Sequence, residues 1–282
     1  MMTVMNMVWR PRYTKEIPMT AKPAVLITGA SSGIGAVYAD RFAKRGHDLV
    51  LVARDKERLE GLAARLRQDN GVAIDVLQAD LTARADLDLV EARVRADGRI
   101  AILVNNAGAA LGGGFATQTT DAIDNLIQLN VTALARLTSA ITPRYLADGA
   151  GAIINVGSVV GLAPEFGSAV YGATKAFVLY LSQALAAELG PHGVYVQAVL
   201  PAATRTEIWA RGGRDIDTIP NLMAAEDLVD AALVGFDRRE AVTIPPLPDL
   251  AQWEAMDTAR KAMIPNYGNA MPAARYRVSE TA

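Results

Sequence analysis

From Ala24 onward, short and nearly continuous apolar runs alternate with longer stretches whose apolar positions recur at helical spacing. The runs are AVLIT (24–28), DLVLVA (48–53), VAIDVLQ (72–78), IAILV (100–104), AIINVGS (152–158), VYVQAVL (194–200) and AVTIP (241–245). They are rich in Val, Ile, Leu and Ala, and most carry no alternating polar face, which predicts parallel strands covered on both sides. Helical patterns occupy residues 34–45, 55–68, about 84–96, 119–146, 169–189 and 226–236. Asp55 and Thr82 are expected as N-caps, and Gly46 and Gly190 as C-terminal stops. Strand–helix alternation of this length specifies βαβ units with right-handed crossovers. The predicted fold class is therefore α/β, a doubly wound, seven-stranded parallel sheet flanked by helices in a single domain.

That domain is expected over 21–245. Residues 201–224 break the rhythm with Pro201, Gly212-Gly213 and Pro220. A long irregular stretch inside a compact domain reads as a lid. Residues 1–20 read as a flexible N-terminal arm, or as sequence upstream of a true start at Met19. Residues 246–282, Pro-rich and polar at the end, read as a tail on the surface.

Composition narrows the function classes. Of 282 residues, 51% are hydrophobic, 21% charged and 6% aromatic, which suits a buried sheet better than a base-stacking platform. A net charge of −2 argues against a general nucleic-acid footprint. There is no Cys, so disulfides, thiolate catalysis and Cys-built zinc sites are excluded. The two histidines, His47 and His192, lack metal-ligand spacing, so no metal is expected. The start lacks the apolar core of a secretory signal, and no run approaches a membrane span. A cytoplasmic location is the default expectation.

The first strand is followed by G-A-S-S-G-I-G, with Gly29, Gly33 and Gly35, and then by a helix. Glycine suits a chain that turns sharply and approaches a pyrophosphate closely, while the helix N-terminus offers free N–H donors. A plain Gly-rich turn is the alternative, but the strand–turn–helix context satisfies the test for a dinucleotide site. Tyr171 and Lys175 lie four apart on one helical face. A neighbouring ammonium is expected to lower a phenol's pKa and suit it to proton transfer. Ser158 ends the fifth strand, on the edge where open parallel sheets place ligands.

Together these residues resemble the short-chain dehydrogenase/reductase family, whose members share a Rossmann-type fold. T-G-A-S-S-G-I-G (28–35), N-N-A-G (105–108), Asn130 in an L-N-V context, Ser158 and Y-x-x-x-K at Tyr171 and Lys175 follow the family's motifs in order. The resemblance spans roughly residues 20–245. It implies hydride transfer between a nicotinamide cofactor and a carbonyl or alcohol. Tyr171 would be the general acid/base, Ser158 would hold the carbonyl, Lys175 would bond the nicotinamide ribose and Asn130 would hold a water. It implies cofactor contacts at Gly29, Ser31, Ser32, Gly33, Ile34, Gly35, Asp80, Leu81, Asn106, Ala107, Gly108, Tyr171, Lys175, Pro201 and Thr206. It also implies a homodimer or homotetramer built on the helices at 119–146 and 169–189. One departure stands out: Ala202 replaces the usual glycine of P-G-x-x-x-T.

The second strand ends in Ala53 and Arg54, with no acid to accept from a free ribose 2′-hydroxyl and a base suited to a 2′-phosphate. NADP is therefore the expected cofactor, as NADPH in reduction. Three loops should frame the pocket: AALGGGF (109–115), VVGLAPEFG (159–167) and the lid at Ile208 and Trp209. They are mostly apolar, with Glu165 the main exception and no convergent basic pair, so a small apolar carbonyl or alcohol substrate is expected. The directions of Arg205, Arg211 and Arg214 are unreadable. The rivals are an NADPH-binding regulatory protein with little turnover and an epimerase using bound cofactor. The full set of Asn130, Ser158, Tyr171 and Lys175 weighs against the first, and the lack of an extended substrate domain against the second.

Overall fold

The structure, a computed structural model, describes residues 23–277. The expected arm and the alternative start at Met19 lie outside them. The described residues form two compact units divided at Pro245 and Pro246. The first unit holds seven strands: β1 (Ala24–Thr28), β2 (Asp48–Ala53), β3 (Ile74–Gln78), β4 (Ile100–Asn105), β5 (Gly151–Val156), β6 (Val194–Val199) and β7 (Val242–Thr243). They form one sheet in the order β3-β2-β1-β4-β5-β6-β7. Every neighbouring pair is parallel. Strand order reverses between β1 and β4, and ligands of such sheets bind outside the carboxyl ends at that point.

Helices α1 (Gly33–Lys44), α2 (Lys56–Asn70), α3 (Arg84–Ala96), α4 (Thr120–Ile127), α5 (Leu134–Asp148), α6 (Ala169–Leu189), α7 (Ile208–Arg211) and α8 (Ala225–Asp237) complete the unit. One face of the sheet packs Val25, Ile27, Leu49 and Leu51 against α1, α2 and α8. The other packs Leu26, Val50, Leu103 and Ile153 against α3, α5 and the end of α6. This burial on both faces is the reason the strands read as unbroken apolar runs. The doubly wound fold is as the sequence predicts. Among the described residues, no helix is long and apolar enough to cross a membrane.

Two local expectations change, at Thr82 and in the helix over 119–146. Asp55 does cap α2, accepting from the Arg58 N–H at 3.0 Å. Thr82 does not cap α3, whose N-cap is Ala83. Instead its N–H and hydroxyl both donate to Asp80 Oδ1. Gly190 is the C-cap of α6, as expected, in right-handed conformation, and the left-handed turn follows at Gly193, where φ is +85°. The helix expected over 119–146 is continuous but widens into a π-turn at Gln128–Ala133 between α4 and α5. Such turns accommodate an extra residue without breaking the helix and recur at functional sites. This one carries Asn130.

The second unit, considered by itself, holds α9 (Leu250–Ala262), capped by Asp249 accepting from the Ala251 N–H. Asp257 pairs with Arg260 and Lys261 along that helix.

The joint between β1 and β4 is built without slack. A Cβ on Gly35 would stand 2.3 Å from the Gly29 carbonyl oxygen and 2.5 Å from Asn106 Nδ2. The atoms it would meet are backbone and a bonded amide, which have nowhere to move. Gly35→Ala is expected to destabilise the protein by about 3 kcal/mol, the upper range for overpacking. Urea unfolding measures it, and a midpoint equal to wild type would show that the turn spreads freely.

Candidate active site

The turn after β1 draws its shape from glycine. Gly29 has φ +67° and Gly33 φ +54°, in the left-handed region that disfavours side chains. Ser32 precedes α1 in extended conformation and makes no capping bond with its hydroxyl. The first turn of α1 holds no acid, and its last turn holds Arg41 and Lys44. Its positive dipole end and free N–H groups therefore face outward from the sheet edge, ready for an anion.

Thr28 and Asn106 lock this turn to β4. The Thr28 hydroxyl donates to the Val104 carbonyl and accepts from the N–H groups of Asn106 and Ala107. Asn106 Nδ2 donates to the Thr28 carbonyl at 2.9 Å and approaches the Gly29 carbonyl at 3.3 Å. Asn106 thus braces the sheet, while Ala107 and Gly108 carry the backbone along the cleft. Beside them Asn105 donates to Thr138 and Asn155, and Asn155 donates to Ser182, a buried polar row between β4, β5 and α6.

Ser158, Tyr171 and Lys175 meet on the far wall of the same cleft. The Ser158 hydroxyl donates to the Pro201 carbonyl at 3.3 Å and also bonds the Tyr171 side chain. Burial lifts the Tyr171 phenol above its ordinary pKa, and the Ser158 bond offsets part of that lift. Lys175 Nζ donates to the Val156 carbonyl at 2.9 Å and lies 5.8 Å from the centre of the Tyr171 ring. Burial pulls Lys175 down to about 8. The expected lowering of the phenol by its neighbouring ammonium is thus not what the site displays. The ammonium is turned onto a carbonyl, and desolvation dominates the phenol.

Asn130, fully buried in its π-turn, spends both amide hydrogens on the Ala109 carbonyl and Thr174 Oγ1, and its Oδ1 accepts from the Ala109 N–H. Thr174 in turn donates to the Tyr171 carbonyl. A Cβ on Gly108 would stand 3.3 Å from Asn130 Oδ1 and 3.5 Å from Lys175 Nζ, so these three residues converge. The side chain of Asn130 ties the loop after β4 to α6.

A cavity of about 680 Å³ joins the two walls. Gly29, Ser31, Ser32, Gly33, Ile34, Arg54, Asp80, Leu81, Asn106, Ala107, Gly108, Ser158, Tyr171, Lys175, Pro201 and Thr206 all line it. Two expected residues do not: Gly35 lies behind the turn and Asn130 behind Gly108. Arg54 stands exposed at the rim with Nη1 3.9 Å from Asp80 Oδ2. Thr206 seats over the turn, its Cγ2 3.1 Å from where a Cβ on Gly33 would be. Ala202 needs no glycine, since the non-glycine residues with positive φ among those described are Asn221 and Arg239.

All three expected loops reach the cavity, through Leu111, Val160, Phe166, Ile208 and Trp209 among others. Glu165 does not line it, and Arg211 and Arg214 do. The sequence left the directions of these arginines open, and the structure turns both toward the cavity. Arg214 stacks over the Trp209 ring at 5.5 Å, and Arg211 pairs with Glu207 at 2.7 Å. Glu207 was missed altogether. Its partner Arg58 lies 149 residues away, so nothing local signals the pairing.

The family model for short chain dehydrogenase matches residues 23–216. The chain belongs to that family. A short-chain dehydrogenase from Sphingobium yanoikuyae, solved in complex with NADPH, is 65% identical, with a TM-score of 0.89 over 90% of this chain and 100% of that one. The bulky-bulky ketone specific alcohol dehydrogenase of Comamonas testosteroni is 55% identical, with a TM-score of 0.85 over 91% of this chain and 99% of that one. Sulfoacetaldehyde reductase of Chromohalobacter salexigens is 38% identical over 83% of this chain and 93% of its own. The chain is an oxidoreductase acting on alcohol or carbonyl groups.

Lys175 carries a measurable cost. Below pH about 8 the folded chain holds a buried charge there. The cost fades as pH rises from about 8 toward the ordinary lysine value of 10.5, because the folded chain then loses its proton before the unfolded chain does. Lys175→Met is expected to stabilise the protein at neutral pH by roughly 2 kcal/mol, once the lost bond to Val156 is subtracted. That gain should shrink across the same pH interval. Urea unfolding of both proteins measures it, and a variant no more stable than wild type at neutral pH would contradict the burial argument.

Proposed function

We propose that the protein is an NADPH-dependent reductase of apolar ketones carrying a bulky group on each side of the carbonyl, with the reverse oxidation at alkaline pH. The observation that carries the proposal is the placement of Ser158, Tyr171 and Lys175 across one cavity from the Gly29–Gly35 turn. The turn suits a dinucleotide: its glycines leave the backbone bare, and α1 presents unpaired N–H donors and no acid. Arg54 favours the 2′-phosphate, with Asp80 and Leu81 lining the adenosine end. NADPH in the Sphingobium yanoikuyae relative supports the same choice.

When bound, the cofactor supplies the hydride. Ser158 then offers its hydroxyl to the ketone oxygen, and Tyr171 gives that oxygen a proton. A phenol raised by burial keeps its proton at neutral pH, which suits reduction. Lys175 bonds the nicotinamide ribose with its ammonium, and Asn130 fixes the strand of backbone behind it and supports a proton-relaying water. Pro201 and Thr206 border the nicotinamide end. Residues 201–224 act as a lid on the substrate.

The apolar lining by Leu111, Val160, Phe166, Ile208, Trp209 and Ile219 supports a ketone larger than the small substrate read from the sequence. The likeness to the Comamonas testosteroni enzyme points the same way. The same reading carries a cytoplasmic location and a homodimer or homotetramer through α4, α5 and α6, whose surfaces expose Ile127, Phe177 and Tyr180.

Arg54→Leu is expected to weaken NADPH by about tenfold or more, the worth of a charge-assisted bond, and to leave NADH unchanged. Nicotinamide fluorescence titration reads both, and equal affinity of the wild type for the two cofactors would remove the argument. Tyr171→Phe is expected to lower ketone turnover by a factor of about 10² to 10⁴ with NADPH binding intact. Retained turnover would overturn the role of Tyr171. In a panel of substrates, turnover of sulfoacetaldehyde in preference to diaryl or branched dialkyl ketones would overturn the apolar reading.

A further inference from the structure

The lid carries a charged chain that runs toward the phosphate turn. Arg58 Nη1, on the first turn of α2, donates to both oxygens of Glu207 at 2.7 and 2.9 Å. Glu207 also accepts from Arg211 Nη2 at 2.7 Å. The same Nη2 comes within 3.5 Å of Ser32 Oγ, in the turn itself. Glu207 and Arg211 line the cavity with Ser31, Ser32 and Gly33, and the adjacent Thr206 sits on Gly33. Arg58, the first of its partners, holds the Glu207 carboxyl below the usual carboxylate range.

Resting on the dinucleotide reading above, we propose that Arg211 is a lid-borne ligand of the cofactor's diphosphate, aimed by Glu207 and anchored through it to Arg58. A guanidinium has five N–H donors, and Glu207 and Ser32 engage only one of its nitrogens. Arg58 pairs with Glu207 and also with Asp55 at 3.4 Å, so within this group the Arg211 guanidinium, beside Ser32, is the positive charge turned to the bare N-terminus of α1. An anion spanning Gly29 to Gly35 therefore meets donors from below, from the turn, and from above, from the lid. Cofactor binding and lid closure become one event. The lid shuts on a loaded enzyme and, with Ile208 and Trp209 on the same short helix, completes the substrate wall as it does so.

The test compares full-length wild type with Arg211→Gln, titrating NADPH and adenosine 2′-monophosphate, which has the 2′-phosphate and no diphosphate. The variant is expected to bind NADPH about tenfold more weakly, the worth of a hydrogen bond to a charged group, and the monophosphate equally well. Arg58→Leu should weaken NADPH about twofold, because Glu207 then neutralises Arg211. Trypsin provides a readout independent of activity: NADPH should protect the wild-type lid from cleavage after Arg214 and fail to protect the Arg211→Gln lid. Equal NADPH affinity and equal protection in the two proteins would reduce the chain to an exposed ion pair and overturn the proposal. Loss of affinity for both probes would mean a disturbed fold rather than a lost diphosphate contact, and would also overturn it. Failure of the wild type itself to bind NADPH would instead overturn the dinucleotide reading.

Discussion

Gly35 and Gly29 approach so closely that no side chain fits between the start of α1 and the strand before it, with 2.3 Å left for a Cβ that needs well over 3 Å. Thr28 and Asn106 then stitch that turn to the end of β4 through five bonds to backbone groups. This contact fixes where the sheet reverses direction, and so where its ligand cleft opens. The other parts of the site take their positions from it. The loop after β4 is held at one end by Asn106 and at the other by Asn130, which reaches across from the π-turn. Asn130 in turn bonds Thr174, one residue before Lys175.

The opposite wall is ordered by a different economy of polar groups. Lys175 is fully buried and answered by a single backbone carbonyl, that of Val156. Ser158 donates to the Pro201 carbonyl, accepts from the Val160 N–H at 3.2 Å and bonds the Tyr171 side chain. Lys175 thus has few partners for a buried charge, beside a row of buried amides, Asn105 and Asn155, that are bonded to one another and to Thr138 and Ser182. Sites of this kind concentrate perturbed pKa values, and the pair here is shifted by burial in opposite senses, the phenol upward and the ammonium downward. The cleft holds a protonated acid and a loosely held cation side by side.

Much of this was legible in the sequence, for a physical reason. Parallel strands buried on both faces leave unbroken apolar runs, and glycine at a forced φ or a close approach leaves a glycine in the text. The features that escaped depend on distance or on helix detail. The π-turn at Gln128–Ala133 contains no Gly or Pro and leaves helix on both sides, so the sequence reads one helix. Thr82 looks like a cap by residue type, but its hydroxyl is taken by Asp80 two residues earlier. Ala202 stands where a glycine was expected, and an ordinary φ accepts it. The union of Arg58 with Glu207 joins helix α2 to the irregular segment 201–224, and no local pattern announces it. Direction of the arginine side chains in that segment belongs to the same class.

The central claim is that hydride passes between a nicotinamide bound at the Gly29–Gly35 turn and a carbonyl carbon held at Ser158 and Tyr171. Isotope transfer measures that step itself. With NADPH deuterated on one face of nicotinamide C4 and then on the other, and a bulky apolar ketone as acceptor, the account predicts deuterium on the carbinol carbon of the product from one of the two faces only. Product alcohol without deuterium from either cofactor, or consumption of NADPH without any alcohol, would contradict it.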